Sequence, residues 1–219
     1  MVQKSSPPRR GRPRAYDPER ALDAATRTFW SGGVTGTSLD DLTESTDMNR
    51  PSLYAAFGDK QALYLKTMER YTELGRAGIS AELGEDRPIA ASLAAIYRRA
   101  LDLYGAGTAG ARGCYLTGTS VAAAVEDAQI RVALAEALAT FDGLFAARFA
   151  RAQEQGELPR ERSADELGAL ATGVLHTLAI RTRAGAPRER LEALADAAVA
   201  MLCASASGDR ADARQRPRR

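Results

Sequence analysis

Apolar residues recur at three- and four-residue intervals along most of the chain, the spacing that gathers them on one face of an α-helix. The first such stripe runs from Ala21 to Phe29 and is followed by the pair Gly32-Gly33. Asp17 precedes it and can accept hydrogen bonds from the first turn, and Pro18 needs no donor at that position. We therefore expect the first helix to begin at Asp17 and to stop at the glycine pair.

Two short helices and a longer one are expected next. Ser38, with an acidic residue three positions later, has the spacing of a capping box, and Asn49 can cap a third helix. Asp47 lies at the break between them, and Asp59 caps a long fourth helix that runs to about Leu83. Three short helices with a tight turn between the second and the third form a helix-turn-helix arrangement.

The helical pattern continues to the end of the apolar sequence. Further helices are predicted at about residues 88–104, 114–123, 126–155, 163–184 and 187–203. No stretch alternates apolar and polar residues in the manner of a half-buried strand. The predicted fold class is therefore all-α, with about nine helices. An N-terminal helix-turn-helix domain is placed at residues 15–72, and a second helical domain at residues 73–205.

One run of residues in the first domain carries a family resemblance. Residues 33–42 (GVTGTSLDDL) and 48–63 (MNRPSLYAAFGDKQAL) resemble the DNA-binding domain of the tetracycline-repressor (TetR) family, in the family's own register. The resemblance covers about residues 12–72, a third of the chain. Asp47 departs from the pattern, because the family usually has glycine in that turn. Aspartate tolerates the left-handed region better than most residues, so we expect the turn to survive.

The resemblance implies which side chains meet DNA. Arg50, Ser52 and Ala55 occupy positions that face bases, and the Arg50 guanidinium has the reach and donors to bind a guanine at two atoms. Thr37, Tyr54 and Lys60 match positions that hold phosphates, through a hydroxyl, a phenol and an ammonium. Leu53 and Phe57 are expected in the core. The alternative for Tyr54 and Lys60 is a core aromatic and a solvated charge.

Charge is concentrated at the two ends of the chain. The net charge is +2, yet the first 14 residues carry +5, residues 206–219 carry +3 and the remainder is acidic. Both ends are poor in apolar residues and are expected to be disordered basic arms. Arg12 and Arg14 lie in the first arm, just before the first helix, where an extended arm can enter a minor groove. A merely solvated arm is the alternative.

Composition excludes several classes of protein. The longest apolar runs are far below the roughly 18 residues that span a bilayer, so we expect a soluble, cytoplasmic protein with no membrane partner. Two cysteines 89 positions apart are expected to be reduced. No paired carboxylates, nucleophile with a base, phosphate loop or metal-ligand spacing stands out. The sequence therefore predicts no enzyme, no metal and no cofactor.

In the family, the second domain binds a small-molecule effector and forms a homodimer. Aromatic and hydroxyl residues of the middle helices are candidates to line the ligand cavity, with plain core as the alternative: Tyr71, Tyr97, Tyr104, Thr117, Ser120, Phe141 and Phe145. Apolar residues of the last two helices are candidates for a four-helix dimer interface, with packing inside the subunit as the alternative: Leu170, Val174, Leu178, Leu191, Leu194, Ala198, Met201 and Leu202.

Three further residues have possible chemistry. Cys114 lies at a predicted helix start in the sequence RGCYL, a pattern similar to the ComR-like branch of the family. A thiol at a helix N-terminus can react or bind a soft metal, and a buried small apolar side chain is the alternative. His176 is expected to be an interface or pocket histidine rather than a ligand. Cys203 has no second ligand at a metal spacing.

The sequence thus predicts a homodimeric DNA-binding transcriptional regulator, a repressor released from a near-palindromic operator by a small molecule. One alternative is a thiol- or metal-sensing regulator that acts through Cys114. Another is a helical small-molecule binding or metabolic protein whose DNA-binding motif is vestigial. Loss of Arg50, Tyr54 and Lys60 would favour that last reading, and all three are present.

Overall fold

The computed structural model describes residues 17–84, 86–106 and 111–204. These residues form ten helices and no strand: α1 (Pro18–Gly36), α2 (Leu39–Thr46), α3 (Arg50–Phe57), α4 (Lys60–Gly84), α5 (Ile89–Gly105), α6 (Tyr115–Thr119), α7 (Ala123–Glu126), α8 (Ala128–Glu154), α9 (Ala164–Arg183) and α10 (Arg188–Leu202). The predicted all-α fold class is confirmed.

Local hydrogen bonds explain where the first helices begin. The Asp17 carboxylate accepts from the backbone N–H of Glu19 at 3.0 Å, as the sequence predicts. The predicted stop at the glycine pair is a bend instead: Gly33 has φ 68°, and helical backbone resumes beyond it as far as Gly36. Glycine adopts this conformation without the clash that a Cβ atom would cause.

The helix-turn-helix forms as predicted. Ser38 and Asp41 make both halves of the capping box at the start of α2, and the Asn49 side chain accepts from the Ser52 backbone at the start of α3. Asp47 ends α2 in the left-handed region, with φ 53°. The turn between α2 and α3 is therefore made by an aspartate in the left-handed conformation, and it survives as expected.

The predicted single helix at 114–123 is wrong in one respect, because it is two helices in the structure. Helix α6 ends at Thr119, and after a turn α7 begins at Ala123. Thr117, Gly118 and Thr119 at the end of α6 and β-branched Val121 in the turn all lower helix propensity. This division accounts for ten helices where about nine were predicted.

Helix α4 connects the two domains. It packs on α1 in the first domain and on α5 and α8 in the second. The largest fully buried side chains include Phe29 and Tyr64 at this junction, whose rings meet edge to face with centroids 5.1 Å apart. In the second domain α8 and α9 make the most extensive helix pair, flanked by α5 and α10. None of the described helices is long and apolar enough to cross a membrane.

Candidate DNA-binding interface and ligand cavity

Helix α3 has one buried side and one exposed side. Leu53 and Phe57 point into the core, as predicted. Arg50, Tyr54 and Ala55 are exposed, and Ser52 is half-buried. Tyr54 leaves 44% of its surface exposed, a large fraction for an aromatic side chain. The base-facing positions therefore share the outer surface of α3 with this tyrosine.

Arg50 is paired with an acidic residue of the preceding helix. Its Nη2 donates to Asp40 Oδ1 at 2.7 Å, although both side chains are largely exposed. This hydrogen bond is the main reason that the pKa of the Arg50 guanidinium is raised, and the negative charge of Asp40 contributes in the same direction. Arg50 is thus held across the gap between α2 and α3, a contact that the sequence analysis did not identify.

Lys60 and Thr37 meet at the start of α4. Lys60 Nζ donates to the carbonyl oxygen of Thr37 at 2.6 Å. The Thr37 side chain is buried, and its hydroxyl donates to the Gly33 carbonyl oxygen at 2.7 Å. A Cβ atom at Gly32 would lie 2.9 Å from the Thr37 hydroxyl oxygen. The Thr37 hydroxyl, which was expected to bind a phosphate, is therefore hydrogen-bonded to the bend of α1 in this structure. Arg12 and Arg14 lie outside the described residues.

A second arginine joins α4 to α1. Arg70 Nε donates to Asp23 at 2.9 Å, and Arg70 Nη1 is paired with Glu19. The hydrogen bond with Asp23 is the main reason that the pKa of Arg70 is raised. No periodic pattern in the sequence indicates this contact, because Arg70 is about 50 positions away from both of its charged partners.

A cavity of about 330 Å³ lies where α1, α4, α5, α8 and α9 converge. Its wall includes Trp30 of α1, Gly75 of α4 and His176 of α9. Of the seven predicted ligand residues, three line it: Tyr71, Tyr104 and Phe141. A Cβ atom at Gly75 would lie 2.9 Å from the Phe141 ring, so glycine at this position keeps the two helices close.

The other four predicted ligand residues lie elsewhere. The Tyr97 hydroxyl donates to the Ala171 carbonyl oxygen at 3.2 Å. The Ser120 hydroxyl donates to the Leu116 carbonyl oxygen at 2.6 Å, and Phe145 is fully buried in the core. Thr117 is half-buried outside the cavity wall. For these residues the structure favours the alternative of ordinary core packing and local hydrogen bonding.

Cys114 also lines the cavity, together with two tyrosines. It is buried, and the Tyr71 hydroxyl donates to its sulfur at 3.4 Å. Burial raises the pKa of both Tyr71 and Tyr104, and the nearby Cys114 contributes in the same direction. Burial lowers the pKa of His176, so its imidazole is neutral at pH 7. Both cysteines are free, and Cys203 is half-buried at the end of α10.

Three hydrogen bonds join α4 to α6 in succession. The Tyr64 and Thr119 hydroxyls lie 2.7 Å apart, and the Thr67 and Tyr115 hydroxyls 2.5 Å apart. The bond from Tyr71 to Cys114 is the third. Such buried polar pairs hold two helices in one relative position, because a broken pair would leave unsatisfied groups. The cavity wall is thereby connected to the first turns of α4.

The predicted dimer residues divide by exposure. Leu170 and Met201 are 56% and 73% exposed, and Val174, Leu194 and Ala198 are half-buried. Leu178, Leu191 and Leu202 are buried within the subunit. These last three cannot meet a partner directly, because α9 and α10 turn them towards the subunit's own core. Ile180 is 61% exposed on α9 and was missed.

Among the described residues no group of three or more His, Cys, Asp or Glu side chains could hold a metal ion. The described residues offer two candidate sites: the outer surface of α3 with its neighbours, and the cavity behind α1 and α4. A helix-turn-helix joined by one long helix to an all-helical domain defines the class of two-domain DNA-binding regulators.

Comparisons with known proteins agree with this class. Residues 21–67 match the bacterial regulatory proteins of the tetR family. The HTH-type transcriptional repressor ComR of Escherichia coli (strain K12) is 28% identical over 187 residues, which cover 85% of this chain and 89% of ComR. The HTH-type transcriptional repressor BdcR of the same organism is 33% identical over 114 residues, 52% of this chain and 57% of BdcR.

A solved structure extends the comparison to the whole fold. A cysteine mutant of the TetR family transcriptional regulator CifR, complexed with a 26-base-pair double-strand operator DNA, superposes with a TM-score of 0.78 at 30% identity. The match covers 86% of this chain and 98% of that one. The chain belongs to the TetR family. It is a DNA-binding transcriptional regulator and not an enzyme.

Proposed function

We propose that the protein is a homodimeric repressor that leaves a near-palindromic operator when a small, mostly apolar molecule fills the cavity. The observation that carries this proposal is the position of the cavity. Its wall joins Trp30 of α1 to Tyr71 and Gly75 of α4. A molecule bound there touches both a helix of the DNA-binding domain and the helix that connects the domains.

Operator binding is supported by the exposed side of α3. Arg50 can donate to base edges, while Tyr54 and Lys60 supply a phenol and an ammonium to phosphates. The names of ComR and BdcR describe repressors, and CifR is solved on operator DNA. A repressor is accordingly the mode of regulation that we propose for this chain.

Dimerisation is supported by apolar side chains that α9 and α10 leave exposed. Leu170, Ile180 and Met201 are each more than half exposed. An interface between two subunits would cover these large apolar side chains and remove them from water. Two such faces related by a two-fold axis would form a four-helix interface and place two α3 helices on successive turns of DNA.

Release requires that the ligand bind the DNA-free state more tightly, since equal affinity for both states shifts nothing. The contacts available for this coupling are the Arg70 pair between α4 and α1 and the hydrogen bonds between α4 and α6. A ligand that displaces Tyr71 changes the position of α4 relative to both neighbours.

The test uses the chain's single tryptophan as a probe. Trp30 lines the cavity, so its fluorescence reports ligand binding without any mutation. A panel of small apolar compounds is titrated while anisotropy of labelled operator DNA is followed in parallel. We expect some compounds to change Trp30 fluorescence and release DNA over the same concentration range. Compounds that bind but leave operator affinity unchanged would contradict the coupling.

Gly75→Ala tests whether the cavity is the site of binding. The added methyl group would lie 2.9 Å from the Phe141 ring and reshape the wall. We expect ligand affinity to fall about tenfold or more while operator binding persists. Gly143→Ala is the matched control, because nothing lies within 4 Å of a Cβ atom at that helical position. Equal ligand affinity in the two variants would place the ligand elsewhere.

A second candidate is a thiol- or metal-sensing regulator. The observation that favours it is that Cys114 lies in the cavity wall with the Tyr71 hydroxyl donating to its sulfur. A cysteine sulfur in the wall of a cavity is placed to meet an electrophile or a soft metal that enters it. Native mass spectrometry and operator release distinguish the two: Cys114→Ser would abolish the response, whereas Cys203→Ser would not.

A further inference from the structure

The pair formed by Arg50 and Asp40 occupies an unusual place for an exposed ion pair. Asp40 lies in the first turn of α2, and Arg50 begins α3. Their side chains meet at 2.7 Å although Asp40 is 79% and Arg50 is 54% exposed. Exposed pairs add little to the stability of a fold. The effect of the ion pair between Arg50 and Asp40 is therefore on the position of the Arg50 guanidinium rather than on stability.

Asp40 is not needed to begin α2. The capping box is made by Ser38 and Asp41. The Ser38 hydroxyl accepts from the Asp41 backbone N–H at 3.1 Å, and the Asp41 carboxylate accepts from the Ser38 backbone N–H at 2.8 Å. The hydrogen bond that the Asp40 carboxylate makes within the described residues is the one from Arg50. The Asp40 side chain is thus directed at α3 rather than at its own helix, α2.

We infer that Asp40 is a specificity-determining positioning residue, which holds Arg50 for base edges and keeps it from phosphates. The inference rests on the proposed role of Arg50 in reading bases. A guanidinium has five N–H donors in a rigid fork. Asp40 engages one nitrogen, and the remaining donors stay available to a base.

Two kinds of acceptor compete for an arginine at the edge of the major groove. Phosphates bear a full negative charge and carry no sequence information, whereas guanine presents two neutral acceptor atoms. A carboxylate beside the guanidinium repels phosphates and offsets the charge that attracts them. It does not repel a neutral base edge in the same way. Asp40 therefore weakens the sequence-blind contact more than the specific one, which increases discrimination.

The experiment compares base preference in the full-length protein. An operator is first selected from random DNA with the wild type. Dissociation constants are then measured at one salt concentration for that operator, for a scrambled sequence and for every single-base variant of a half-site. The variants are Arg50→Ala, Asp40→Asn, Asp40→Glu and the control Glu44→Gln. Glu44 is exposed one turn further along α2, so its variant removes the same charge from the same helix.

We expect Asp40→Asn and Glu44→Gln both to bind scrambled DNA more tightly, because each removes a negative charge near phosphates. Only Asp40→Asn should lower the ratio of operator to scrambled affinity, by about threefold to tenfold. Asp40→Asn should lose base discrimination at the same base pair of the half-site at which Arg50→Ala loses it. Asp40→Glu keeps the negative charge, so it should retain most of the wild-type base discrimination. In an Arg50→Ala background, Asp40→Asn should leave the base preference unchanged.

Each failure has a separate meaning. Equal changes in the affinity ratio for Asp40→Asn and Glu44→Gln would overturn the inference, because Asp40 would then act only through net charge. Unchanged base preference in Arg50→Ala would refute the base-reading role itself. A loss of base preference in Arg50→Ala without any loss in Asp40→Asn would refute the inference about Asp40 but not the base-reading role of Arg50. Thermal unfolding of each variant separates these results from misfolding, which would lower affinity for every sequence alike.

Discussion

At the scale of single residues, Lys60 has a particular partner in the structure and not merely a charge. Lys60 matches a phosphate-binding position, and in the structure its ammonium already donates to the Thr37 carbonyl oxygen. That contact holds the ammonium at the junction of α1, α2 and α4. A pre-positioned donor loses less conformational entropy when DNA binds.

Lys60→Ala should weaken binding to operator and random DNA by similar factors. A phosphate contact carries no sequence information, so the ratio of the two affinities should stay nearly constant. The slope of log affinity against log salt should fall by about 0.9, as expected for the loss of one phosphate contact. Lys66→Ala is the control, since Lys66 lies on the same helix as Lys60 and its ammonium is 5.7 Å from the centroid of the Phe57 ring of α3. An unchanged slope in Lys60→Ala would contradict the assignment.

His176 gives the chain a pH dependence with a definite sign. Burial lowers its pKa below 6.5, so the folded protein binds that proton less readily than the unfolded chain. The unfolded state therefore gains protons first as the pH falls through about 6.5, and the free energy of unfolding decreases. Above that pH both states are neutral at this residue and the contribution is constant.

Urea unfolding at a series of pH values checks this sign. We expect His176→Gln to lose less stability than the wild type between about pH 6.5 and pH 5. Since this is the single histidine of the chain, no other imidazole contributes. An identical acid loss in both proteins would show that carboxylates account for it.

At the scale of helices, local sequence predicts where an element begins better than which way it faces. The caps at Asp17, Ser38 and Asn49 were predictable, because a cap depends on a few adjacent residues. The rotation of a helix depends on its neighbours in space. The sequence therefore could not separate Tyr104, which lines the cavity, from Tyr97, which lies in the core.

Packing between α8 and α9 depends on one glycine. A Cβ atom at Gly168 would lie 2.6 Å from the Asp142 carbonyl oxygen and 2.8 Å from the Ala146 nitrogen. These are backbone atoms of α8, so the helices must separate to admit a methyl group. The sequence showed Gly168 among small residues of α9, but nothing in the sequence indicates how closely two helices approach.

Gly168→Ala should lower the free energy of unfolding by about 1–3 kcal/mol, the usual cost of overpacking a core. Gly143→Ala adds the same methyl group in α8 where nothing lies within 4 Å. That control should be neutral or should stabilise by up to about 1 kcal/mol, because alanine favours the helix. Chemical denaturation measures both. Similar values for the two variants would contradict close packing at Gly168.

At the scale of the whole molecule, the exposed side of α9 and α10 is the surface that we propose for contact with a second subunit. Leu170, Ile180 and Met201 would be costly to leave in water on two adjacent helices. The sequence predicted a dimer face on these helices that includes Leu170 and Met201, which are both exposed in the structure. It also included Leu178, which is fully buried, because apolar stripes on both sides of a helix look alike in a sequence.

Leu170→Glu should convert the proposed dimer into a monomer at micromolar concentration and remove cooperative operator binding. A charge at the centre of an apolar interface loses its hydration without gaining a partner. Sedimentation velocity measures the change. Val125→Glu is the control, since Val125 is 78% exposed on α7, away from α9 and α10. A wild type that sediments as a monomer would contradict the proposed interface.

The length of α4 sets how small a movement can matter. Gly75 in the cavity wall and Lys60 at the first turn are fifteen residues apart, about 22 Å along a helix at 1.5 Å per residue. A rigid tilt of about 5° around the cavity would then move Lys60 by about 2 Å, far beyond the spread of hydrogen-bond lengths. In a two-fold assembly both ends move, so the spacing between the two DNA-reading surfaces could change by about 4 Å, more than the 3.4 Å rise of one base pair. A tilt of a few degrees at the cavity is thus enough, by simple leverage, to put the proposed dimer out of register with its DNA.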